Sequence, residues 1–183
     1  MKVILNAEQI ERALGRVADE IAGAQPARQA GQAATDTGLA IIGIRSRGEI
    51  LAQRLADRLS QKLRKPIPCG TLDITLYRDD LNAPQGNSQP QVRTTEIGFD
   101  IDGKIIILVD DVLYTGRSAR AAMDALIDLG RPKAIRLAVL VERAGRELPI
   151  QADYTGGKAD VQPEQSVQVC LVESDGRDEV VVE

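Results

Sequence analysis

The sequence of 183 residues contains no histidine and only four aromatic side chains, one Phe and three Tyr. Without histidine, neither a Ser-His nor a Cys-His catalytic pair can form, and an imidazole metal site is excluded as well. Any catalysis must therefore use carboxylates, Lys or Arg, backbone amides, or charges carried by the substrate. The scarcity of aromatics predicts an aliphatic core and largely excludes the stacking platform on which many RNA-binding modules hold bases.

Cysteine and long apolar runs are scarce as well. Cys69 and Cys170 lie far apart without a CxxC spacing, and the N-terminus has no long apolar stretch. The longest apolar run is about six residues, too short to cross a membrane. We therefore expect a cytoplasmic protein with reduced thiols. The length predicts one domain spanning residues 1–183.

The net charge of −4 argues against a globally basic nucleic-acid binder, but the charges are unevenly distributed. Basic residues dominate between Arg45 and Lys65, whereas the tail from Glu173 onward is mainly acidic. The ordinary interpretation of such a basic run is a solvated helix face. A local anion site or an RNA-binding face is the alternative.

Apolar periodicity predicts alternating helices and strands. An N-x-x-Q capping box at Asn6 and Gln9 predicts the start of a first helix. Polar connections are predicted over Gln25–Thr37 and Asp79–Arg93; the second is long enough to suggest a lid. The predicted helices are Glu49–Leu63 and Arg117–Leu129; the predicted strands are Gly38–Ile44, Pro66–Leu76, Ile105–Val109 and Ala134–Val141, with shorter strands near Asp153–Thr155 and Val167–Val172.

This alternation predicts a parallel sheet covered by helices on both faces. Ligands of such sheets bind at the carboxyl ends of the strands. That rule places two turns, RSRG (45–48) and DDVLYTGRS (110–118), at the same edge of the sheet. We therefore expect both turns to face one crevice.

The second turn combines two chemical features. Asp110 and Asp111, expected just past the strand end, offer carboxylates that accept hydrogen bonds from a diol such as ribose. The next turn opens a helix whose first N–H groups suit a phosphate, with Gly116 permitting close approach and Thr115 and Ser118 adding hydroxyls. This predicts a ribose 5-phosphate site. The alternative is that Asp111 only caps the helix and Gly116 only makes a turn.

The segment VDDVLYTGRS (109–118) closely resembles the phosphoribosyl pyrophosphate signature of type I phosphoribosyltransferases. GIRSRG (43–48), LDITLYRDDL (72–81) and the stretch 130–154 are similar to the bifunctional PyrR family of pyrimidine operon regulators and uracil phosphoribosyltransferases. The similarity extends over nearly the whole chain. It implies an α/β type I phosphoribosyltransferase fold, a mainly parallel sheet flanked by helices, with a small hood and a flexible lid loop near 78–93.

The resemblance also implies roles for individual residues. Asp110, Asp111 and Arg78 would act in catalysis, with Arg78 and the lid closing over pyrophosphate, and Arg143 would contact the base. From the residues alone, RSRG could be a plain turn, and Arg78 could form a surface ion pair with Asp79 or Asp80. The pyrophosphate loop would comprise Arg45, Ser46, Arg47 and Gly48; the ribose and 5-phosphate would contact Asp110, Asp111, Val112, Leu113, Tyr114, Thr115, Gly116, Arg117 and Ser118.

The implied reaction converts uracil and phosphoribosyl pyrophosphate into UMP and pyrophosphate. Mg²⁺ would be held mainly by phosphoribosyl pyrophosphate, and no protein metal site is expected. The implied partners are phosphoribosyl pyrophosphate, uracil, UMP and pyrimidine leader RNA, without a membrane. A homo-oligomer, either a dimer or a tetramer, is expected.

Three positions depart from the family pattern and bear on RNA binding. Gly15 and Asp19 stand where a threonine and a histidine are expected, and Ala144 replaces a usual histidine. The serine at Ser118 replaces a threonine and keeps the hydroxyl. A carboxylate such as Asp19 on an RNA-facing surface would oppose phosphate binding. The alternatives to an enzyme that also regulates are a non-enzymatic RNA-binding attenuator and a transferase for another base.

Overall fold

A computed structural model describes residues 1–25, 38–79 and 92–183. The predicted connection over Gln25–Thr37 and the predicted lid near 78–93 lie almost wholly outside these ranges. Within them, no helix is both long and apolar enough to cross a membrane. The elements are β1 (Lys2–Asn6), α1 (Ala7–Gly23), β2 (Leu39–Ile44), α2 (Arg47–Leu63), β3 (Cys69–Leu72), a 3-10 helix (Thr75–Tyr77), β4 (Ile105–Leu113), α3 (Arg117–Leu129), β5 (Ala134–Arg143), β6 (Tyr154–Ala159), β7 (Val167–Cys170), α4 (Val172–Asp175) and β8 (Glu179–Val182).

The central sheet has five parallel strands in the order β3-β2-β4-β5-β6. Side chains alternate between its two faces, as the pleat of a strand requires. In β2, Leu39 and Ile41 pack in the core that includes α1 and α2, whereas Ala40 and Ile42 pack in the core that includes α3. Burial on both faces explains why β2 and the first five residues of β4 are continuous apolar runs.

The first helix begins where the sequence predicts it. Gln9 N donates to Asn6 Oδ1 at 3.0 Å, and Asn6 N donates to Gln9 Oε1 at 2.8 Å, which completes the capping box. The apolar side of the helix, from Ile10 to Ile21, is buried against the sheet. The helix α3 ends at Leu129 as predicted, with Gly130 N donating to Leu126 O.

Several predicted boundaries are wrong, among them the end of β3 and the start of α2. The predicted strand Pro66–Leu76 ends at Leu72, because Asp73 Oδ1 accepts hydrogen bonds from Thr75 N at 3.2 Å and Thr75 Oγ1 at 2.6 Å and turns the chain into the 3-10 helix. The helix predicted from Glu49 begins at Arg47. Half of the RSRG segment therefore belongs to α2.

A second, antiparallel sheet in the order β1-β8-β7 was not predicted. It pairs Lys2 with Val182 and Val167 with Val182, so it joins the first residues of the chain to the last. The strand β7 is predicted near Val167–Val172, but the pairing of β1 with β8 over such a separation leaves no local signal in the sequence. Val169, Leu171 and Val180 of this region join the core beneath α1 and α2. We assign the expected small hood to this sheet.

Candidate active site

Two glycines bring the start of α2 against the carboxyl ends of β2 and β4. A Cβ at Gly43 would overlap Gly48 O and the backbone of Glu49. A Cβ at Gly48 would lie 2.6 Å from Val109 O, closer than real Cβ contacts allow. The GIRSRG segment therefore needs both glycines to hold its turn, whose Arg45–Ser46 peptide is cis, beside the strand that carries the two acids.

Asp110 and Asp111 lie within β4, which corrects the expectation that they follow its end. The strand continues to Leu113 because β5 pairs with it as far as Glu142. Asp111 N donates to Asp110 Oδ1 at 2.9 Å, and Val112 N donates to Asp111 Oδ1 at 2.8 Å. The N-cap of α3 is Gly116, without a side-chain cap. Asp111 is therefore not a capping residue.

The two acids share a partly buried position at the edge of the sheet. Burial, and next the negative charge of Asp111, raise the pKa of Asp110 well above its ordinary value of 3.8. Hydroxyl donors or a positive charge placed beside such an acid stabilise its ionised form. This is the environment in which a ribose diol or a cationic sugar would be stabilised.

The turn from Tyr114 to Ser118 leads from β4 into α3. Gly116 has φ 92°, a left-handed conformation that favours glycine. The segment after β5 fixes this turn, since Glu147 N and Leu148 N donate to Thr115 O at 3.0 and 3.2 Å. Arg117 Nε donates to Glu147 Oε2 at 2.8 Å. The turn is thus held in place before any ligand binds, with the N-terminus of α3 at its end.

A cavity of about 270 Å³ joins the two turns. Ser118, in the first turn of α3, lines this cavity. The predicted site residues that do not line it are Gly48, Leu113, Tyr114, Thr115, Gly116, Arg117 and Arg143. The lining residues are Ile44, Arg45, Ser46, Arg47, Asp73, Ile74, Thr75, Arg78, Asp110, Asp111, Val112 and Ser118. Three arginines and three acids therefore line the same cavity.

The arginines of the RSRG turn are bound to carboxylates of the chain itself. Arg45 lies 3.3 Å from Glu49 Oε2 and 3.1 Å from Glu96 Oε1, and its Nε donates to Thr94 O at 2.9 Å. Arg47 lies 3.0 Å from Asp175 Oδ1. A plain turn with two solvated arginines does not describe this arrangement. Asp79, one of the two predicted partners of Arg78, accepts a hydrogen bond from Arg117 Nη1 at 2.6 Å through its Oδ2; the other, Asp80, lies outside the described residues.

Asp73 is a cavity residue that sequence reasoning missed. Although burial opposes it, hydrogen bonds from Thr75 and from Arg93 N lower the pKa of Asp73, so the group is a carboxylate. Asp73 N also donates to Thr95 Oγ1 at 3.1 Å. Asp73 thereby joins the two chain segments that flank residues 80–91. The Asp-x-Thr spacing after β3 is the signal that could have identified it.

Arg143 is buried, 6% exposed, and its guanidinium is already occupied. It donates to Gln165 O at 2.5 Å and Gln162 O at 3.2 Å, and it stacks 4.1 Å from the centre of the Tyr114 ring. On the neighbouring side, a Cβ at Gly145 would overlap this ring. Arg143 therefore connects the 162–165 turn to Tyr114 and does not line the cavity.

The acids fit a magnesium ion that arrives on a diphosphate. In the described part of the chain, no group of three or more His, Cys, Asp or Glu could hold a metal ion. Mg²⁺ in phosphate-handling sites is commonly bound by one or two carboxylates together with substrate phosphates. Asp110 and Asp111 provide such carboxylates at the cavity wall.

Comparison with known proteins identifies the class to which this fold and site belong. Residues 2–174 match the family model described as phosphoribosyl transferase domain. The hypoxanthine phosphoribosyltransferase of Trypanosoma cruzi is similar in fold, with a TM-score of 0.69 at 19% identity over 100% of this chain and 95% of that chain. The purine phosphoribosyltransferase of Pyrococcus horikoshii gives a TM-score of 0.60 at 24% identity, over 85% and 87% of the two chains. The predicted type I phosphoribosyltransferase fold is confirmed.

Two sequence relatives are much more similar. The bifunctional protein PyrR of Thermus aquaticus is 51% identical over 177 residues, which are 97% of this chain and 92% of that protein. The bifunctional protein PyrR of Bacillus cereus is 49% identical over 180 residues, 98% of this chain and 96% of that protein. The chain therefore belongs to the PyrR family of phosphoribosyltransferases, as the sequence predicts.

Proposed function

We propose that this chain transfers the phosphoribosyl group of phosphoribosyl pyrophosphate to uracil, and that it also regulates pyrimidine genes by UMP-dependent binding of leader RNA. The observation that carries the enzymatic half is the shared cavity. It joins the arginines of the RSRG turn to the acids of β4 and to the N-terminus of α3. The regulatory half rests on membership of a family whose members are named bifunctional.

The position of the two turns on either side of the acids in the chain supports a division of the substrate into three parts. The 5-phosphate would bind the turn Thr115–Ser118 at the start of α3, with Val112, Leu113 and Tyr114 completing the loop. Asp110 and Asp111 would accept hydrogen bonds from the ribose hydroxyls. The pyrophosphate would bind the segment Arg45–Gly48, where planar guanidiniums suit bidentate phosphate contacts, together with Arg78.

The reaction breaks the bond between the ribose carbon and pyrophosphate and forms a bond from that carbon to a uracil nitrogen, which releases its proton to pyrophosphate or to water. Positive charge develops on the sugar and negative charge on the leaving pyrophosphate. Asp110 and Asp111 stabilise the first, and Arg45, Arg47 and Arg78 stabilise the second. Mg²⁺ bound to the diphosphate would add positive charge at the leaving group, with Asp110 or Asp111 as its protein ligand.

The base would lie beside the stretch 141–146. Arg143 is the proposed side-chain contact, but its guanidinium donates to Gln162 O and Gln165 O in the structure. Arg143 must therefore break its hydrogen bond to one of these carbonyls before it can donate a hydrogen bond to uracil. Backbone groups of the same stretch are the alternative contacts, since Gly145 brings the chain against Tyr114.

The test of the enzymatic half is a steady-state assay with the purified chain, Mg²⁺ and phosphoribosyl pyrophosphate, in which uracil, cytosine and hypoxanthine are offered as separate substrates. We expect UMP and pyrophosphate to form in equal amounts and only with uracil. Transfer to hypoxanthine with no transfer to uracil would show that the site serves another base. No transfer to any base would favour the attenuator that uses the pocket as a sensor.

The enzyme is favoured over a pure sensor because Arg45 and Arg47 both line the cavity. A UMP sensor needs the 5-phosphate cradle but has no pyrophosphate to bind. Of the three departures from the family, Asp19 and Ala144 are exposed and Gly15 is half-buried; Asp19 forms an ion pair with Lys62. That exposed pair offsets part of the repulsion between the carboxylate of Asp19 and RNA.

The regulatory half is tested by a gel-shift titration with pyrimidine leader RNA, with and without UMP, at a stated salt concentration. We expect UMP to strengthen binding. Asp19→Asn, which removes the carboxylate, should strengthen it further, while Asp160→Asn on an exposed residue elsewhere should not. Absence of binding with UMP present would leave only the enzyme.

We also propose that residues 1–183 form one phosphoribosyltransferase domain that assembles as a dimer or tetramer in the cytoplasm. Cys69 and Cys170 are both free thiols, in keeping with a reducing compartment. Three large apolar side chains are exposed: Leu76, Ile127 and Leu129. Leu76 belongs to the 3-10 helix, which packs against α3, the helix that carries Ile127 and Leu129. Light scattering after size-exclusion chromatography measures the assembly, and a monomer at micromolar concentration would contradict it.

A further inference from the structure

The short helix α4, near the end of the chain, lies against the start of α2 and reaches the pyrophosphate turn. Asp175, its last residue, contacts the guanidinium of Arg47 at two points. Arg47 Nη2 donates to Asp175 Oδ1 at 3.0 Å, and Arg47 Nε lies 3.4 Å from Asp175 Oδ2. Arg47 lines the cavity, whereas Asp175 does not. Asp175 therefore reaches the cavity through its contact with Arg47.

Asp175 is itself rigidly held. Its Oδ2 accepts hydrogen bonds from Ser174 Oγ at 2.6 Å and from Leu171 N at 2.9 Å, and Leu171 is fully buried in the core. These two hydrogen bonds, with that of Arg47, lower the pKa of Asp175 to about 2. The residue is thus a fixed carboxylate throughout the physiological pH range.

A second arginine of α2 holds α4 in place. Arg54, seven residues after Arg47, donates to both carboxylate oxygens of Glu173 at 2.8 and 2.5 Å and to both of Asp178 at 2.8 and 2.9 Å. Val172 N also donates to Asp178 Oδ1 at 2.8 Å. The acidic tail is therefore bound to the basic run of α2. Arg47 and Arg54 make this contact, whereas Arg58 and Lys62 of the same basic run pair with Glu11 and Asp19 of α1.

The two-point contact fixes the plane of the Arg47 guanidinium. A guanidinium has five N–H donors, and Asp175 takes its Nε and Nη2 edge. The Nη1 edge is then available to a ligand in the cavity. An arginine side chain otherwise loses considerable rotamer freedom when it binds a phosphate. A carboxylate that holds one edge removes part of that cost before the ligand arrives.

We propose that Asp175 is a positioning residue for the pyrophosphate turn, which orients Arg47 toward the diphosphate of phosphoribosyl pyrophosphate without touching the substrate. The proposal rests on the proposed function, because it assumes that the turn binds pyrophosphate. It assigns a role in substrate binding to the acidic end of the chain. It also predicts that this role is confined to the diphosphate and does not extend to the nucleotide.

The test uses Asp175→Asn, with Glu11→Gln as the matched control. Glu11 pairs with Arg58, which lies on α2 like Arg47 but does not line the cavity. We expect Asp175→Asn to raise the KM for phosphoribosyl pyrophosphate about fivefold, as for a partly exposed ion pair, with kcat and the KM for uracil unchanged. Calorimetry should show weaker binding of inorganic pyrophosphate and unaltered binding of UMP. Asp175→Glu should restore part of the loss, and Glu11→Gln should resemble the unaltered chain.

A double-mutant cycle decides whether the effect passes through Arg47. In an Arg47→Ala background, Asp175→Asn should have no further effect on pyrophosphate binding. An equal effect in both backgrounds, or weakened UMP binding, would overturn the positioning role. Pyrophosphate calorimetry needs no turnover, so the cycle can be read even if the chain does not convert uracil. Failure of the proposed function and failure of this proposal are therefore distinguishable.

Discussion

Replacing Gly48 with alanine puts a methyl group where the structure has no room. The new Cβ would lie 2.6 Å from Val109 O and 3.2 Å from the Cα of Asp110. Both neighbours are backbone atoms of β4, which is paired with β2 on one side and β5 on the other. Because the strand cannot retreat, the first turn of α2 must move away from it and carry Arg47 along.

The size of the effect follows from this overlap. Overpacking of this kind costs about 1–3 kcal/mol of the free energy of unfolding. For a chain of this length, Tm changes by about 2–4 °C for each kcal/mol, so we expect Gly48→Ala to lower Tm by about 2–12 °C. A displacement near 1 Å should weaken productive binding of the diphosphate and lower kcat/KM for phosphoribosyl pyrophosphate by up to about 100-fold.

Thermal unfolding and steady-state kinetics of UMP formation measure both effects on the same preparation. Gly98→Ala is the control, because a Cβ there has no heavy atom within 4 Å and no left-handed backbone. Its Tm and kinetics should match those of the unaltered chain. If Gly48→Ala kept both the original Tm and the original kcat/KM, the close approach of α2 to β4 would not position the pyrophosphate turn.

Three further predictions concern individual groups. Asp110→Asn should raise Tm by about 2–4 °C at pH 7, because asparagine avoids the cost of ionising a partly buried acid. Below pH 3.8 this gain in Tm should vanish, because Asp110 is then neutral in both the folded and the unfolded chain, as asparagine is. An unchanged Tm at pH 7 would contradict it. Gly145 has φ 112° and lies against the Tyr114 ring, so alanine at this position should strain the segment. We expect Gly145→Ala to raise the KM for uracil about tenfold and the KM for phosphoribosyl pyrophosphate less. Equal changes in the two KM values would show that this segment does not bind the base. Asp175 has a depressed pKa in the folded chain, so it stabilises the fold above pH 3.8 and loses this effect as the pH falls toward 2. Acid unfolding of Asp175→Asn should therefore differ from that of the unaltered chain above pH 3.8 and converge with it near pH 2, and a constant difference would contradict the ion pair.

The elements predicted correctly are those with local signals. The Asn6–Gln9 capping box, the apolar run of β2 and the stop at Gly130 each depend on neighbouring residues. The sheet β1-β8-β7 depends on pairing between opposite ends of the chain. The apolar periodicity of a segment does not indicate which distant segment it pairs with. The end of β3 at Leu72 depends on one side chain, Asp73, whose turn interrupts an otherwise apolar pattern.

The site shows the same division. The rule for parallel sheets correctly predicts that the turn after β2 and the one after β4 lie at one edge. It gives no information on side-chain partners, so the pairs of Arg45 with Glu96 and of Arg47 with Asp175 could not be foreseen. Arg143 likewise looks like a free base contact in sequence, but in the structure it is held by backbone carbonyls.

Asp110 and Asp111 are proposed to serve the ribose of phosphoribosyl pyrophosphate at this cavity. The most direct measurement is the rate of UMP formation by the variant that carries both Asp110→Asn and Asp111→Asn, with Asp160→Asn as the control. Loss of two charge-assisted contacts predicts a rate lower by about 100-fold or more, with the circular dichroism spectrum unchanged. A folded double variant that forms UMP at the original rate would contradict the assignment of the site.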